Sequence, residues 1–180
     1  MRALVTARHV SIAFAGILIG LMLNGGAHAI VNGAFRYSTP QTGYLTIPAA
    51  SFVPASNSTV YSNDGSSIVS TGPQCFRAAV NLPQDAKITQ LAMWYSKNDD
   101  DPAQLSLDRV TPAEFNTTGI AGLSLVNTGG AGKSAAVNIT NTSLQTVNNI
   151  RYMYIVNNCI SDQEFFAGAR IKYTYTTAGD

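Results

Sequence analysis

The chain predicts an all-β protein, a two-sheet antiparallel β-sandwich that is jelly-roll-like. Three observations predict it. From Gly43 onward, short alternating or apolar runs are separated by turn clusters. No window of ten or more residues keeps a helical period free of Gly or Pro. The composition favours Thr, Val, Ile and Tyr, which suit strands, and Asn, Gly, Asp and Ser, which suit turns. About eight to ten strands at this spacing fit two packed sheets. A closed barrel is the alternative, because strand counting does not determine whether a sheet closes.

Taken in order, residues 43–47 and 59–61 are the first strands, and 67–70 follows the turn signal Asn63-Asp64-Gly65. Between the first two, Phe52-Val53-Pro54 crosses an edge as irregular chain. Residues 75–82 alternate cleanly, with Phe76, Ala78, Val80 and Leu82 on one side, before Pro83-Gln84-Asp85 turns the chain. Residues 87–96 form the longest strong strand. There Leu91, Met93 and Tyr95 share one face while Ile88, Gln90, Ala92 and Trp94 share the other, and apolar residues on both faces mark a central position. Next come 104–110 with Leu105, Leu107 and Arg109 together, then 122–126, then 134–140 with Ala135, Val137 and Ile139 alternating. Residues 150–157 place Ile150, Tyr152, Tyr154 and Val156 on one face, and 169–176 place Ala169, Ile171, Tyr173 and Tyr175 on one face. Strands this short and irregular do not match a membrane barrel.

The first 29 residues read as a secretory signal peptide. Arg2, Arg8 and His9 precede an apolar run from Val10 to Leu23, and Ala27-His28-Ala29 presents the small-x-small pattern of a cleavage site. The apolar run is shorter than the roughly 20 residues that span a bilayer, so no transmembrane segment is expected after cleavage. Residues 30–180 are then a single domain, secreted to the periplasm or the cell exterior. Both histidines of the chain lie in 1–29, so residues 30–180 contain no imidazole to act as base or metal ligand. Two of the eleven basic residues and none of the ten acidic ones lie there as well, which leaves one net negative charge. That balance gives no basic excess of the kind nucleic-acid partners require.

Cys75 and Cys159 are the only cysteines, and an exported chain with an even count pairs them. With no Cys-x-x-Cys and no histidine nearby, a structural disulfide outweighs a zinc or redox pair. Closing so long a loop is worth at most about 4–5 kcal/mol.

Several segments recur together: Tyr44-Leu45-Thr46-Ile47-Pro48 with Phe52-Val53-Pro54, Ala79-Val80-Asn81-Leu82-Pro83, Ala86-Lys87-Ile88-Thr89-Gln90-Leu91, Trp94-Tyr95, and Gly168-Ala169-Arg170-Ile171-Lys172-Tyr173. The set resembles a widespread group of small secreted bacterial β-sandwich proteins with an F-x-P segment, a V-x-L-P hairpin and a terminal G-x-R-I-x-Y strand. Asp85 stands where the hairpin of that group carries Gly. The resemblance implies export and an all-β domain, and supplies no catalytic residues.

The densest charge is Lys97-Asn98-Asp99-Asp100-Asp101, and Asp99, Asp100 and Asp101 are the candidate metal ligands, offering hard oxygens that suit Ca²⁺. Their carboxylates are adjacent rather than alternating and Pro102 follows at once, so a solvated hairpin loop is the reading and no cofactor is expected. Hydrolysis of a glycosidic bond needs only two carboxylates flanking a cleft, and Asp108, Glu114, Asp162 and Glu164 are available, but no spacing marks a pair. Gly129-Gly130-Ala131-Gly132-Lys133-Ser134 lacks the first glycine of a phosphate loop, since Asn127 occupies that place. Among Trp94, Tyr95, Tyr152, Tyr154, Tyr173 and Tyr175 most rings are read as core, because Tyr152 with Tyr154 and Tyr173 with Tyr175 fall two apart and share a face with the apolar residues of their strands. Trp94 is different, because it faces away from Leu91, Met93 and Tyr95, and flat rings suit sugar faces.

These readings converge on a secreted, non-catalytic binding or surface-structural module, with a surface glycan or copies of itself as partner and Trp94 as the ligand-binding residue. The alternative is a small carbohydrate-active hydrolase using paired carboxylates. A concave face gathering Trp94 and two carboxylates would favour the enzyme.

Overall fold

The computed structural model describes residues 35–97, 103–125, 130–162 and 164–178. Within them Tyr37–Ala178 form one compact unit. The strands are Phe35–Pro48 (β1), Val53–Pro54 (β2), Tyr61–Asn63 (β3), Ile68–Ser70 (β4), Gln74–Val80 (β5), Lys87–Lys97 (β6), Ala103–Thr111 (β7), Asn116–Leu125 (β8), Gly130–Asn138 (β9), Met153–Ile160 (β10) and Phe165–Ala178 (β11). A 3₁₀ turn at Ala49–Ser51 and a helical turn at Thr142–Gln145, capped by the Asn141 side chain, are the only helical pieces among the described residues.

One sheet has the order β3-β4-β11-β6-β9, with β1 also paired to β11, and the other has the order β2-β5-β10-β7-β8. Consecutive strands therefore alternate between sheets, except at the β3–β4 and β7–β8 hairpins, and β11 and β10 each insert between strands far from them in sequence. Interleaving of this kind in the pairs β4-β11-β6-β9 and β5-β10-β7-β8 is the jelly roll, an antiparallel β-sandwich built on two Greek keys.

Alternation explains the core. On β5, Phe76, Ala78 and Val80 point inward, on β7 Leu105 and Leu107, on β6 Leu91, Met93 and Tyr95, and on β11 Phe166, Ala169 and Ile171, all buried. Phe52 meets Phe166 edge-on at 4.8 Å, and Tyr61 meets Phe76 at 5.2 Å. Cys75 and Cys159 are register partners on β5 and β10 and form the predicted disulfide, bridging a sequence separation of 84.

Four local expectations are corrected by the ladder. Ile150 does not join a strand face; it lies in a turn and is 93% exposed. The reason is that the Arg151 and Tyr152 N–H groups donate to the Asn148 carbonyl, while Asn149 bonds Gln84 and the Leu82 carbonyl, which keeps residues 148–152 out of the sheet until Met153. Ile88 points inward rather than sharing the Trp94 face, because the register shift beside Thr89 turns the chain by one residue. Val53-Pro54 is a short edge strand paired to Arg77 and Phe76, not irregular chain. The strand expected at 134–140 runs from Gly130 to Asn138, so the glycine-rich segment at 130–132 belongs to an edge strand. Asp85, where the resembled group carries Gly, adopts the left-handed backbone that glycine suits, with φ 62°.

The expected signal peptide at 1–29 and the candidate ligands Asp99, Asp100 and Asp101 lie outside the described residues.

Candidate functional site: the outer face of the six-stranded sheet

Trp94 stands on β6, the central strand between β11 and β9, with its side chain on the face opposite Leu91, Met93 and Tyr95. Its cross-strand neighbours are Gly168 on β11 and Ser134 on β9. Neither has the bulk to cover an indole, so the ring is only half-buried although its strand is central. Gly168 is required there for a second reason. A Cβ at Gly168 would stand 2.6 Å from the Ile47 carbonyl oxygen, and its φ of +148° disfavours other residues, so glycine allows β1 to pass close beside β11.

That close passage sets Tyr44 of β1 beside Arg170 of β11. The Arg170 guanidinium carbon lies 5.2 Å from the Tyr44 ring centroid and 5.2 Å from that of Trp94. Cation–π contacts at this range are worth about 0.5–1 kcal/mol at exposed sites and about 2 when desolvated. A ladder Tyr44, Arg170, Trp94 thus crosses three strands, and its outer member Tyr44 is 55% exposed. Lys172 follows Arg170 on the same face opposite Gln90, whose amide donates to the Asn138 side chain at 2.9 Å.

The electrostatics of this sheet are one-sided. None of its six strands contains Asp or Glu, whereas they carry Lys87, Lys133, Arg170 and Lys172 among others. The described carboxylates sit in turns or on the other sheet.

The four candidate acids are dispersed. Asp108 lies on the outer face of the second sheet, 9% exposed, where its Oδ2 accepts from the Ser106 hydroxyl at 2.9 Å and from the Asn157 amide. Glu114 is exposed in the β7–β8 turn. Asp162 accepts from the Gly72 N–H at 3.3 Å in the β10–β11 connection, and Glu164 is buried with Oε2 accepting from the Ser161 N–H at 2.6 Å. Trp94 and Asp108 therefore occupy opposite outer faces of the sandwich, and no one concave face gathers the ring with two carboxylates among the described residues. No group of three or more His, Cys, Asp and Glu suited to a metal ion occurs among the described residues.

Sequence reasoning missed a second feature. Beside Asp108 and the disulfide, a depression of about 320 Å³ is lined by Gln104, Ser106, Gly122, Ser124, Asn157 and Cys159, with no aromatic ring. Registers align Arg77, Asn157, Ser106 and Gly122 in one transverse row across it. The signal was the polar member of each alternating pair in β7 and β10, which reads as ordinary solvent-facing residues until the ladder aligns them. Sequence reasoning also gave Arg170 no role, because its partners Tyr44 and Trp94 are far from it along the chain.

No family model and no curated protein matches the chain. Solved structures similar to it include the C-terminal CBM6 of LamC, a marine laminarinase from Zobellia galactanivorans, at 18% identity, with a TM-score of 0.49, covering 72% of this chain and 98% of that one. A xylan-binding module, CBM15, is similar at 12% identity and a TM-score of 0.46, covering 77% of this chain and 100% of that one. A carbohydrate-binding module from Cellvibrio mixtus lichenase 5A, in complex with cellotriose, is similar at 10% identity and a TM-score of 0.43, covering 71% of this chain and 95% of that one.

Proposed function

We propose that the protein is a secreted, non-catalytic glycan-binding module whose contact surface is the outer face of the six-stranded sheet around Trp94. The observation that carries the reading is the placement of the only tryptophan. Trp94 stands on the solvent side of a central strand, flanked by Gly168 and Ser134 and accompanied by the exposed ring of Tyr44. An apolar ring in the middle of a sheet is normally covered by its neighbours, and this one has neighbours that leave room. Sugars present flat C–H faces to such rings and hydroxyls to the polar groups around them, here Arg170, Gln90, Asn138 and Ser134. Export is supported by the Cys75–Cys159 disulfide, a bond that persists in oxidising compartments.

Affinity electrophoresis through gels containing single polysaccharides tests the reading. At least one polymer should retard the protein, and Trp94→Ala should abolish the retardation while leaving the melting temperature within a few degrees. Release of reducing ends from the retarding polymer, lost on replacing Asp108 or Glu114, would replace the module with the hydrolase.

A further inference from the structure

We infer that the glycan is acidic, a polysaccharide bearing uronate carboxylates, and that Arg170 is the residue that receives the carboxylate. The inference rests on the glycan-binding reading and names the ligand class of the same site.

Arg170 is held from two sides, 5.2 Å from the ring centroids of both Tyr44 and Trp94. Two aromatic contacts fix the plane of a guanidinium far better than one, and a fixed fork loses less entropy when it captures a planar, bidentate anion. No carboxylate among the described residues pairs with it, and its Nε is buried without a hydrogen-bond partner. A cation positioned at the cost of its own hydration, with no counter-charge among the described residues, is arranged for a charge that comes from outside.

The surroundings point the same way. Lys172 stands two residues along β11 on the same face, about 7 Å further at the rise of an extended strand. Among the described residues the strands of this sheet carry no Asp or Glu, so Arg170 and Lys172 meet an incoming polyanion with no carboxylate beside them in the ladder. The outer face of the second sheet is mixed, carrying Asp108 close to Asn157 and Arg77 as the register partner of Asn157.

The test titrates the intrinsic fluorescence of the secreted protein, which reports on Trp94 because that is the only tryptophan. The probes are polygalacturonate, the same polymer fully methyl-esterified, dextran sulfate and an uncharged β-glucan. Polygalacturonate should bind at least tenfold more tightly than its ester, and raising the salt from 0.05 to 0.5 M should weaken only the charged form, with Debye lengths falling from above about 10 Å to well below it. Arg170→Ala should remove the preference for the free acid, and Arg170→Lys should restore part of it, keeping the charge without the fork. Equal affinity for acid and ester overturns the inference while leaving glycan binding intact, as does a preference for dextran sulfate over polygalacturonate. Failure of all four polymers and of the wider electrophoresis panel overturns both readings. Should Arg170→Ala not fold, the acid-against-ester comparison on the unaltered protein decides the matter alone.

Discussion

Replacing Gly168 by alanine should destabilise the protein far more than the same change at Gly65, although both glycines have positive φ. At Gly65, φ is +87° and nothing lies within 4 Å of the added Cβ, so the cost is the backbone preference alone, about 1–2 kcal/mol. At Gly168, φ is +148°, and the new Cβ would meet the Ile47 carbonyl oxygen at 2.6 Å and the Pro48 Cα at 3.3 Å. Both atoms belong to the backbone of β1, so no rotamer change relieves the contact. Strain at a glycine-specific conformation costs about 1–3 kcal/mol, and forced displacement of packed neighbours about 1–3 more, giving about 2–6 kcal/mol in total. At about 2–4 °C per kcal/mol for a domain of this size, the melting temperature should fall by roughly 5–20 °C. Guanidinium unfolding followed by far-UV circular dichroism measures both variants without relying on the nearby indole. The same displacement should move β1 away from β11 and loosen Tyr44 from Arg170, so any glycan affinity should fall as well. A Gly168→Ala variant no less stable than Gly65→Ala would refute the close passage of β1 that builds the ladder.

Three further outcomes follow from separate parts of the fold. Converting Cys75 and Cys159 together to alanine removes a link across a separation of 84, which should cost up to about 4–5 kcal/mol in equilibrium unfolding, and a loss below about 1 kcal/mol would contradict the bond's role. The Asp64 carboxylate accepts the Ser67 N–H at 2.8 Å, then the Ser66 hydroxyl at 2.8 Å and N–H at 2.9 Å, and these bonds hold its pKa below the ordinary aspartate value. A depressed folded pKa gives stability that is present above the unfolded value and lost as pH falls through the folded one, so Asp64→Ala should flatten the acid limb of the stability profile, while carboxyl NMR should find Asp64 titrating at its ordinary value if the turn is wrong. Asn158 is fully buried on β10 with neither side-chain atom hydrogen-bonded among the described residues, so Asn158→Leu should raise stability by about 1–3 kcal/mol, and a loss of stability would count against that environment.

The strands that carry strong alternation were legible without a structure. Phe76, Ala78 and Val80 on β5, Leu91, Met93 and Tyr95 on β6, and Leu105 and Leu107 on β7 point inward as their period-two pattern predicts. The turn at Asn63-Asp64-Gly65 was equally legible, because Asx side chains bond their own backbone and Gly65 takes φ +87°. The first half of β1 was not, since Pro40 and a run of Ser, Thr and Gln read as loop, and Pro is tolerated there because β1 is paired on one side only, to β11. The start of β8 was hidden in the same way by Thr117, Thr118 and Gly119. Ile150 misled because its spacing fitted a strand whose ladder is cut off by turn hydrogen bonds to Asn148. Of the candidate site, the outward aim of Trp94 followed from parity alone. Arg170 and Tyr44 could not follow from it, because a jelly roll brings β1, β11 and β6 together only through long crossovers, and parity along one strand says nothing about which strand lies beside it.

The measurement that tests the central claim most directly is a ¹H–¹⁵N chemical-shift map of the protein with the polysaccharide that retards it. Binding at the outer face of the six-stranded sheet predicts the largest changes at the Trp94 indole N–H and at Tyr44, Arg170, Lys172 and Ser134, with the depression at Gln104, Ser106 and Asn157 unmoved. Changes confined to that depression, with Trp94 and Arg170 silent, would contradict the account.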